Sequence, residues 1–118
     1  MDSLSATEAL SAKGATHPRV SLDDIKAEIA GENYINAGDA AVRCGQPASA
    51  GMHLMTVCFL TMRNGFIVVG KSAPASPENY DQEKGRTFAR EDAIRQLYPL
   101  MGFSLRDSLA RQSATNAA

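Results

Sequence analysis

Two arginines in the second half of the chain have a spacing that suits anion binding. Arg86 and Arg90 are four residues apart, so on a helix their side chains lie one turn apart on the same face. Guanidinium groups bind phosphate or carboxylate through parallel N–H donors. Lys71 ends a predicted strand and adds a third cation. The pattern predicts a small anion site that fits a nucleotide-type ligand.

Polar and aromatic residues near the start of the same helix enlarge this candidate site. Backbone N–H groups at a helix start favour anions, and a tyrosine ring can stack on a base. The candidate ligand-binding residues are Arg86, Arg90, Lys71, Asn79, Tyr80, Asp81 and Tyr34. Two other roles for the arginines stay open: an ion pair with Glu83 on a solvated helix face, or an ion-pair cluster between subunits.

A second pattern resembles the phosphate-binding loop of nucleotide-binding proteins. Residues 65–72 read G-F-I-V-V-G-K-S, which matches G-x-x-x-x-G-K-[ST]. The four middle residues favour a strand, and Pro74 prevents a helix from beginning at Lys71. We therefore interpret the segment as the return strand of a hairpin.

The histidines and cysteines are too scattered for a metal site. No C-x-x-C or H-x-x-x-H pair occurs, and no orienting third group accompanies a cysteine–histidine pair in the Gly- and Ala-rich middle segment. The residues concerned are His17, His53, Cys44 and Cys58. The sequence predicts no metal, no cofactor and no enzymatic activity.

Composition and charge exclude several classes of protein. The chain has 118 residues, room for one small domain. Its net charge is −1, and acidic residues alternate with the arginines of the C-terminal half, which argues against binding to nucleic acid or an anionic membrane. The longest apolar run, Val57 to Val69, is interrupted and too short to span a bilayer. The first residues resemble no secretion signal, so we expect a cytoplasmic protein.

Three regions follow from composition. Residues 1–16 and 112–118 contain few large apolar side chains and are expected to be a flexible leader and a flexible tail. Residues 17–111 are expected to form the domain. Within it, Ser21 caps a short helix that ends at Gly31, and Asp24 lies in its acidic first turn. The following segment, 32–53, has no clear periodicity and is expected to be irregular.

The Asn64-Gly65 pair predicts a hairpin with a two-residue turn. This turn places Met62 opposite Ile67. Both faces of the hairpin are apolar, and one short helix cannot cover both. Either two helices sandwich the hairpin or a second subunit covers it, and we favour the second subunit, which makes the protein a homo-oligomer.

A long helix is expected from Ser76-Pro77 to Tyr98, with Pro99 as its end and Ser104 as the cap of a final short helix. The predicted fold class is α+β. In this fold the β-hairpin packs on one long helix, short N- and C-terminal helices flank it, and oligomerisation completes it.

The chain resembles a family of small tailed-phage proteins, typified by the gene 49 product of a coliphage and the gene 66 product of a Shigella phage. The resemblance lies in three segments: A12-K-G-A-T-H-P-R-V-S-L-D-D-I, R63-N-G-F-I-V-V-G-K-S-A-P-A-S-P-E-N-Y-D, and G85-R with A89-R-E-D-A-I-R-Q-L-Y-P-L-M-G-F-S-L-R-D-S-L. It covers about residues 12–110. The family has no established activity, so the resemblance implies no catalytic residues. It implies a phage or prophage protein in an infected or lysogenic bacterial host.

These observations together predict a phage accessory protein that binds without catalysis, in host takeover or anti-defence. In the favoured hypothesis an oligomer holds a small nucleotide-type anion between its subunits. One alternative is an inhibitor that docks on a host protein through the apolar hairpin face or the loop around Tyr34. Another is a DNA-associated replication or transcription factor, whose binding would weaken steeply with salt.

Overall fold

The structure is a computed structural model that describes residues 3–117. The fold class is α+β, as predicted. The main elements, in chain order, are α1 (Ser3–Ala12), α2 (Leu22–Ala27), β1 (Ile29–Asn36), α3 (Ala37–Arg43), β2 (Thr56–Met62), β3 (Ile67–Ser72) and α4 (Gln82–Ala117). Short 3₁₀ helices lie at Ala50–Leu54 and Pro77–Asn79. Among these residues, no helix is both long and apolar enough to cross a bilayer.

The chain divides into two compact units. One contains residues Ile29–Arg95, and the other contains the segments before and after them. The boundary on α4 falls between Arg95 and Gln96, one turn before Pro99. The candidate site lies in the first of these units, referred to below as the sheet unit.

The sheet unit is built on an antiparallel sheet with strand order β1-β2-β3. Burial alternates along β2, where every second residue from Thr56 to Met62 is buried, because successive side chains point to opposite faces. Ala89 and Ala93 of α4 contact this buried face and are fully buried. The helix therefore covers one face of the sheet.

The hairpin turn contains three residues where the sequence predicted two. The Gly65 N–H donates to the Met62 carbonyl (2.9 Å), and the Met62 N–H donates to the Phe66 carbonyl (2.8 Å). Gly65 has φ +89°, which is the left-handed conformation that closes a three-residue hairpin loop. The predicted register is therefore wrong by one residue: Thr61, not Met62, lies opposite Ile67.

The corrected register explains Gly70. It lies opposite Cys58 on the buried face, where a Cβ atom would be 2.0 Å from the Ala89 carbonyl oxygen and 2.5 Å from the Ala93 nitrogen. Gly85 of α4 is equally close, since its Cβ would be 2.4 Å from the Thr56 hydroxyl oxygen. The two glycines let the helix backbone approach the sheet without intervening side chains.

Segment 32–53 was predicted to be irregular, but most of it forms regular secondary structure. The short helix ends at Ala27, and Gly31 lies inside β1 instead of ending that helix. Strand β1 contains glycine and asparagines that disfavour strands, and its pairing with β2 outweighs this local preference. Asn36 ends β1 and caps α3, because its side-chain oxygen accepts a hydrogen bond from the Asp39 N–H (3.1 Å).

Helix α4 begins later and ends later than predicted. Ser76 makes no capping hydrogen bond; Asp81 caps the helix instead, by accepting a hydrogen bond from the Lys84 N–H (3.0 Å). The helix continues through Pro99, so the separate helix capped by Ser104 is absent. A proline costs one backbone hydrogen bond, and an established helix extends at little cost per residue. The predicted tail is helical as far as residue 117.

The predicted leader also contains a helix. Leu4 of α1 is buried, and the Glu8 carboxylate accepts a hydrogen bond from the Leu22 N–H and pairs with Arg19 (2.5 Å). These contacts lie within one compact unit and offset the weak apolar content of α1. The predicted Ser21 cap of α2 is confirmed, since Ser21 and Asp24 form a reciprocal capping box.

The close approach at Gly70 predicts a large effect of a single methyl group. Gly70→Ala should lower the free energy of unfolding by about 2 kcal/mol or more, because the new Cβ meets helix backbone that cannot yield. Urea denaturation followed by circular dichroism measures this change. Gly31→Ala in β1 is the control, because its Cβ would meet only Thr61 at 3.9 Å; equal losses in both variants would contradict the close-packing account.

The contacts of Glu8 predict a pH dependence of stability. The hydrogen bond from the Leu22 N–H and the Arg19 guanidinium lower the pKa of Glu8. The resulting stabilisation is present above the unfolded pKa of about 4.3 and is lost as pH falls through the lower folded pKa. Between about pH 5 and pH 3, Glu8→Gln should lose less stability than the unmodified chain in urea titrations.

Asp23→Asn is the matched control. Asp23 is exposed on α2, and its side chain makes no hydrogen bond or ion pair within residues 3–117. The control should keep the full acid sensitivity, and a flattened profile there would show that Glu8 is not its source.

Candidate functional site

Four side chains meet beside α4 on the face of the sheet that this helix covers. We call them the arginine–tyrosine cluster: Glu32, Tyr34, Arg86 and Arg90. Glu32 and Tyr34 alternate along β1, opposite Leu60 and Cys58 of β2. The arginines each follow a helix residue that packs closely on the sheet, and a rotation of about 100° per residue turns them toward β1.

Glu32 holds the cluster together. Its Oε1 atom accepts a hydrogen bond from Arg90 Nε at 2.6 Å and another from the Tyr34 hydroxyl at 3.0 Å. The Arg90 and Glu32 side chains are 32% and 36% exposed, so the pair is only partly shielded from water. The alternative in which Glu83 pairs with Arg90 is replaced by this contact from β1.

Arg86 is the available cation of the cluster. Its guanidinium carbon lies 5.6 Å from the centre of the Tyr34 ring, which is within range of a cation–π interaction. Arg86 is exposed, and within residues 3–117 it has no carboxylate partner. Its N–H donors are therefore open to a ligand while the ring restricts its position.

Tyr34 serves as a hydrogen-bond donor to Glu32 in the cluster. Burial and the hydrogen bond to Glu32 raise the pKa of Tyr34 well above its usual range. Burial also raises the pKa of the neighbouring Cys58 thiol, against a smaller opposing effect of the Tyr34 hydroxyl. Both shifts favour the protonated form of these groups, which is the less nucleophilic one.

Asn36 extends the cluster along β1. Its side-chain nitrogen donates to the His53 carbonyl (2.8 Å) and to the Tyr80 hydroxyl (3.3 Å). Tyr80 is half-buried, and this hydrogen bond ties the segment before α4 to the end of β1. Tyr80 thus lies beside Asn36, which is two strand positions beyond Tyr34 on the same face of β1.

The seven predicted ligand-binding residues are divided by the structure. Tyr34, Arg86 and Arg90 come together, and Tyr80 joins them through Asn36. The other three residues lie outside the arginine–tyrosine cluster. They are Lys71 on the opposite face of the sheet, Asp81 as the cap of α4, and Asn79, exposed in the 3₁₀ helix.

Sequence reasoning missed Glu32 and Asn36. Asn36 had a signal, because an asparagine three residues before Asp39 is a typical helix start. Glu32 had none, since its partner Arg90 is 58 residues away in the sequence. The pairing of β1 with β2 and the packing of α4 on the sheet together bring them into contact.

The other candidate chemistry is not supported by the geometry. Residues 3–117 contain no cluster of three or more histidine, cysteine or acidic side chains suited to a metal ion. Lys71 and Ser72 end β3, so the segment that matches a phosphate-binding loop is a strand, as predicted. His53 instead contacts Asp39 (Nδ1 to Oδ1, 3.2 Å).

The sheet, helices α2 and α3, most of α4 and the whole cluster fall within a segment that matches a known family. The sequence model of the Phage protein (N4 Gp49/phage Sf6 gene 66) family matches residues 20–109. The chain belongs to this family. The predicted resemblance is thereby confirmed, and the match contains every residue of the arginine–tyrosine cluster. No curated protein and no solved structure matches the chain.

The burial of Cys58 beneath Tyr34 predicts two thiols of very different reactivity. With an aromatic disulfide reagent at pH 8, the exposed Cys44 should react at once. The buried Cys58 should react about 100-fold more slowly, because it must wait for local opening of the structure. Absorbance at 412 nm follows both phases.

Cys44→Ser should remove the fast phase and leave one slow thiol. Cys58→Ser should leave the fast phase alone. A fast phase that persists in Cys44→Ser would contradict the placement of Cys58 in the covered face.

Proposed function

We propose that this phage-family protein acts by binding without catalysis and sequesters a small, anionic, nucleotide-type ligand at the arginine–tyrosine cluster. The observation that carries the proposal is the exposed Arg86 guanidinium, positioned over Tyr34 and free of a carboxylate partner within residues 3–117. In an accessory phage protein, such binding would remove a signalling nucleotide of the infected host. Sequestration of this kind needs no turnover.

The charge of the cluster supports an anionic ligand. Two guanidinium groups and one carboxylate leave one net positive charge, because Tyr34 stays protonated. Phosphate oxygens accept bidentate hydrogen bonds from arginine. Arg86 offers this geometry directly, whereas Arg90 must first share or release Glu32.

Preorganisation also favours binding. A free arginine side chain loses considerable rotamer entropy when it is ordered by a ligand. The contact between Arg86 and the Tyr34 ring restricts the guanidinium before the ligand arrives. Tyr80, tied to β1 through Asn36, is the ring that a base would stack on.

Arg86→Ala tests the proposal. Isothermal titration with a panel of linear and cyclic nucleotides, at low and moderate salt, should identify a ligand of the unmodified protein. The variant should bind that ligand at least 10-fold more weakly, a loss of about 1.4 kcal/mol or more. Arg86→Lys should recover only part of the affinity, because an ammonium group cannot form the bidentate contact.

Arg106→Ala is the matched control, since Arg106 is also an exposed arginine of α4 and belongs to the other compact unit. It should bind as tightly as the unmodified chain. Equal losses in both variants, or no binding across the panel, would overturn the proposal. Binding to a DNA duplex that weakens steeply with salt would favour the DNA-associated alternative instead.

A further inference from the structure

The face of the sheet that α4 does not cover is mostly apolar and exposed. We call it the open sheet face. The register places Ile35, Val57, Phe59, Thr61, Ile67 and Val69 on it, together with Gly31, Asn33 and Lys71. Ile35, Ile67 and Val69 are 40%, 55% and 46% exposed, and Phe66 at the hairpin loop is 55% exposed. Contiguous apolar surface of this kind marks an interaction site.

The charge pattern of this face fits a second copy of the same chain. Of the strand residues on this face, only Lys71 is charged, and it lies opposite Val57 toward the end of β3, away from Phe59 and Val69 in the middle of the face. Two such faces can meet without opposing like charges at their centre. A face built for a charged partner would carry complementary charges within it.

The size of the face fits a small interface between two copies. Three strands averaging seven residues measure about 23 Å by about 14 Å, or about 330 Å² of projected area. Two copies together cover about 660 Å² of projected area, and the accessible area is larger because the side chains project from the sheet. With the projecting side chains and the loop residue Phe66 included, the accessible area buried by the two copies approaches the roughly 1,000 Å² that a specific interface requires.

The edge of β3 is a poorer place for association. The Asp92 carboxylate accepts a hydrogen bond from the backbone N–H of Lys71 (Oδ2 to N, 2.9 Å). An added strand would have to form hydrogen bonds with free backbone groups of β3. Because Asp92 already accepts a hydrogen bond from one of them, this edge is protected against strand addition. The face, and not this edge, is the open surface.

We infer that the open sheet face is the interface of a homodimer in which two sheets pack face to face. Aligned sheets pack about 10 Å apart, with their strands within about 30° of each other. The arginine–tyrosine cluster lies on the opposite face of the sheet, so each chain keeps its own cluster outside the interface. The inference therefore does not depend on the proposed ligand, and the two stand or fall separately.

Analytical ultracentrifugation of the full chain over a range of concentrations tests the dimer. The unmodified protein should sediment at twice its 12.6 kDa mass. Val69→Asp should raise the dissociation constant at least about 100-fold, because a buried unpaired carboxylate opposes association. Ile67→Asp should act in the same way and guards against a defect particular to one position.

Val42→Asp is the matched control, because Val42 is 58% exposed on α3 and is not part of the face. It should remain dimeric, and circular dichroism should confirm that all three variants are folded. A monomer at every concentration of the unmodified protein would overturn the inference and leave the face to a host protein. Dimers that persist in both Val69→Asp and Ile67→Asp would overturn it as well.

Discussion

The sheet unit depends on the direct contact between the backbone of α4 and the sheet. Gly70 and Gly85 provide the space for this contact, one from each side, and neither position has room for a methyl group. Because glycine has no side chain, the two backbones come close together. This contact fixes both the position of α4 along its axis and its rotation about that axis. Because the arginines follow the contact residues by one position, that fixed rotation directs Arg86 and Arg90 toward β1.

The same contact makes the two faces of the sheet different. The covered face contains the buried residues of β2 and the cluster around Glu32, where polar groups satisfy one another at a partly shielded boundary. The opposite face keeps exposed apolar side chains on β1 and β3. A single helix can bury only one face of a sheet, so the second face remains available for another protein surface.

Local sequence signals succeeded where a single short segment decides the outcome. The capping box at Ser21, the hairpin at Gly65 and the strand character of residues 67–72 all appear as predicted. The turn length was wrong because a loop with a left-handed glycine can hold either two or three residues between its strands. Pro99 was given too much weight, since a helix established on both sides tolerates one missing hydrogen bond.

The sequence by itself determined the fold class, the family, the hairpin and the placement of Arg86 and Arg90 on one helix face. Each of these depends on residues that are neighbours along the chain. Only the tertiary structure decided that β1 is a strand, that Glu32 holds Arg90, and that Lys71 faces away from both arginines. Those outcomes depend on strand register and on contacts between distant segments. A shift of one residue exchanges the two faces of a strand, and no local pattern fixes that choice.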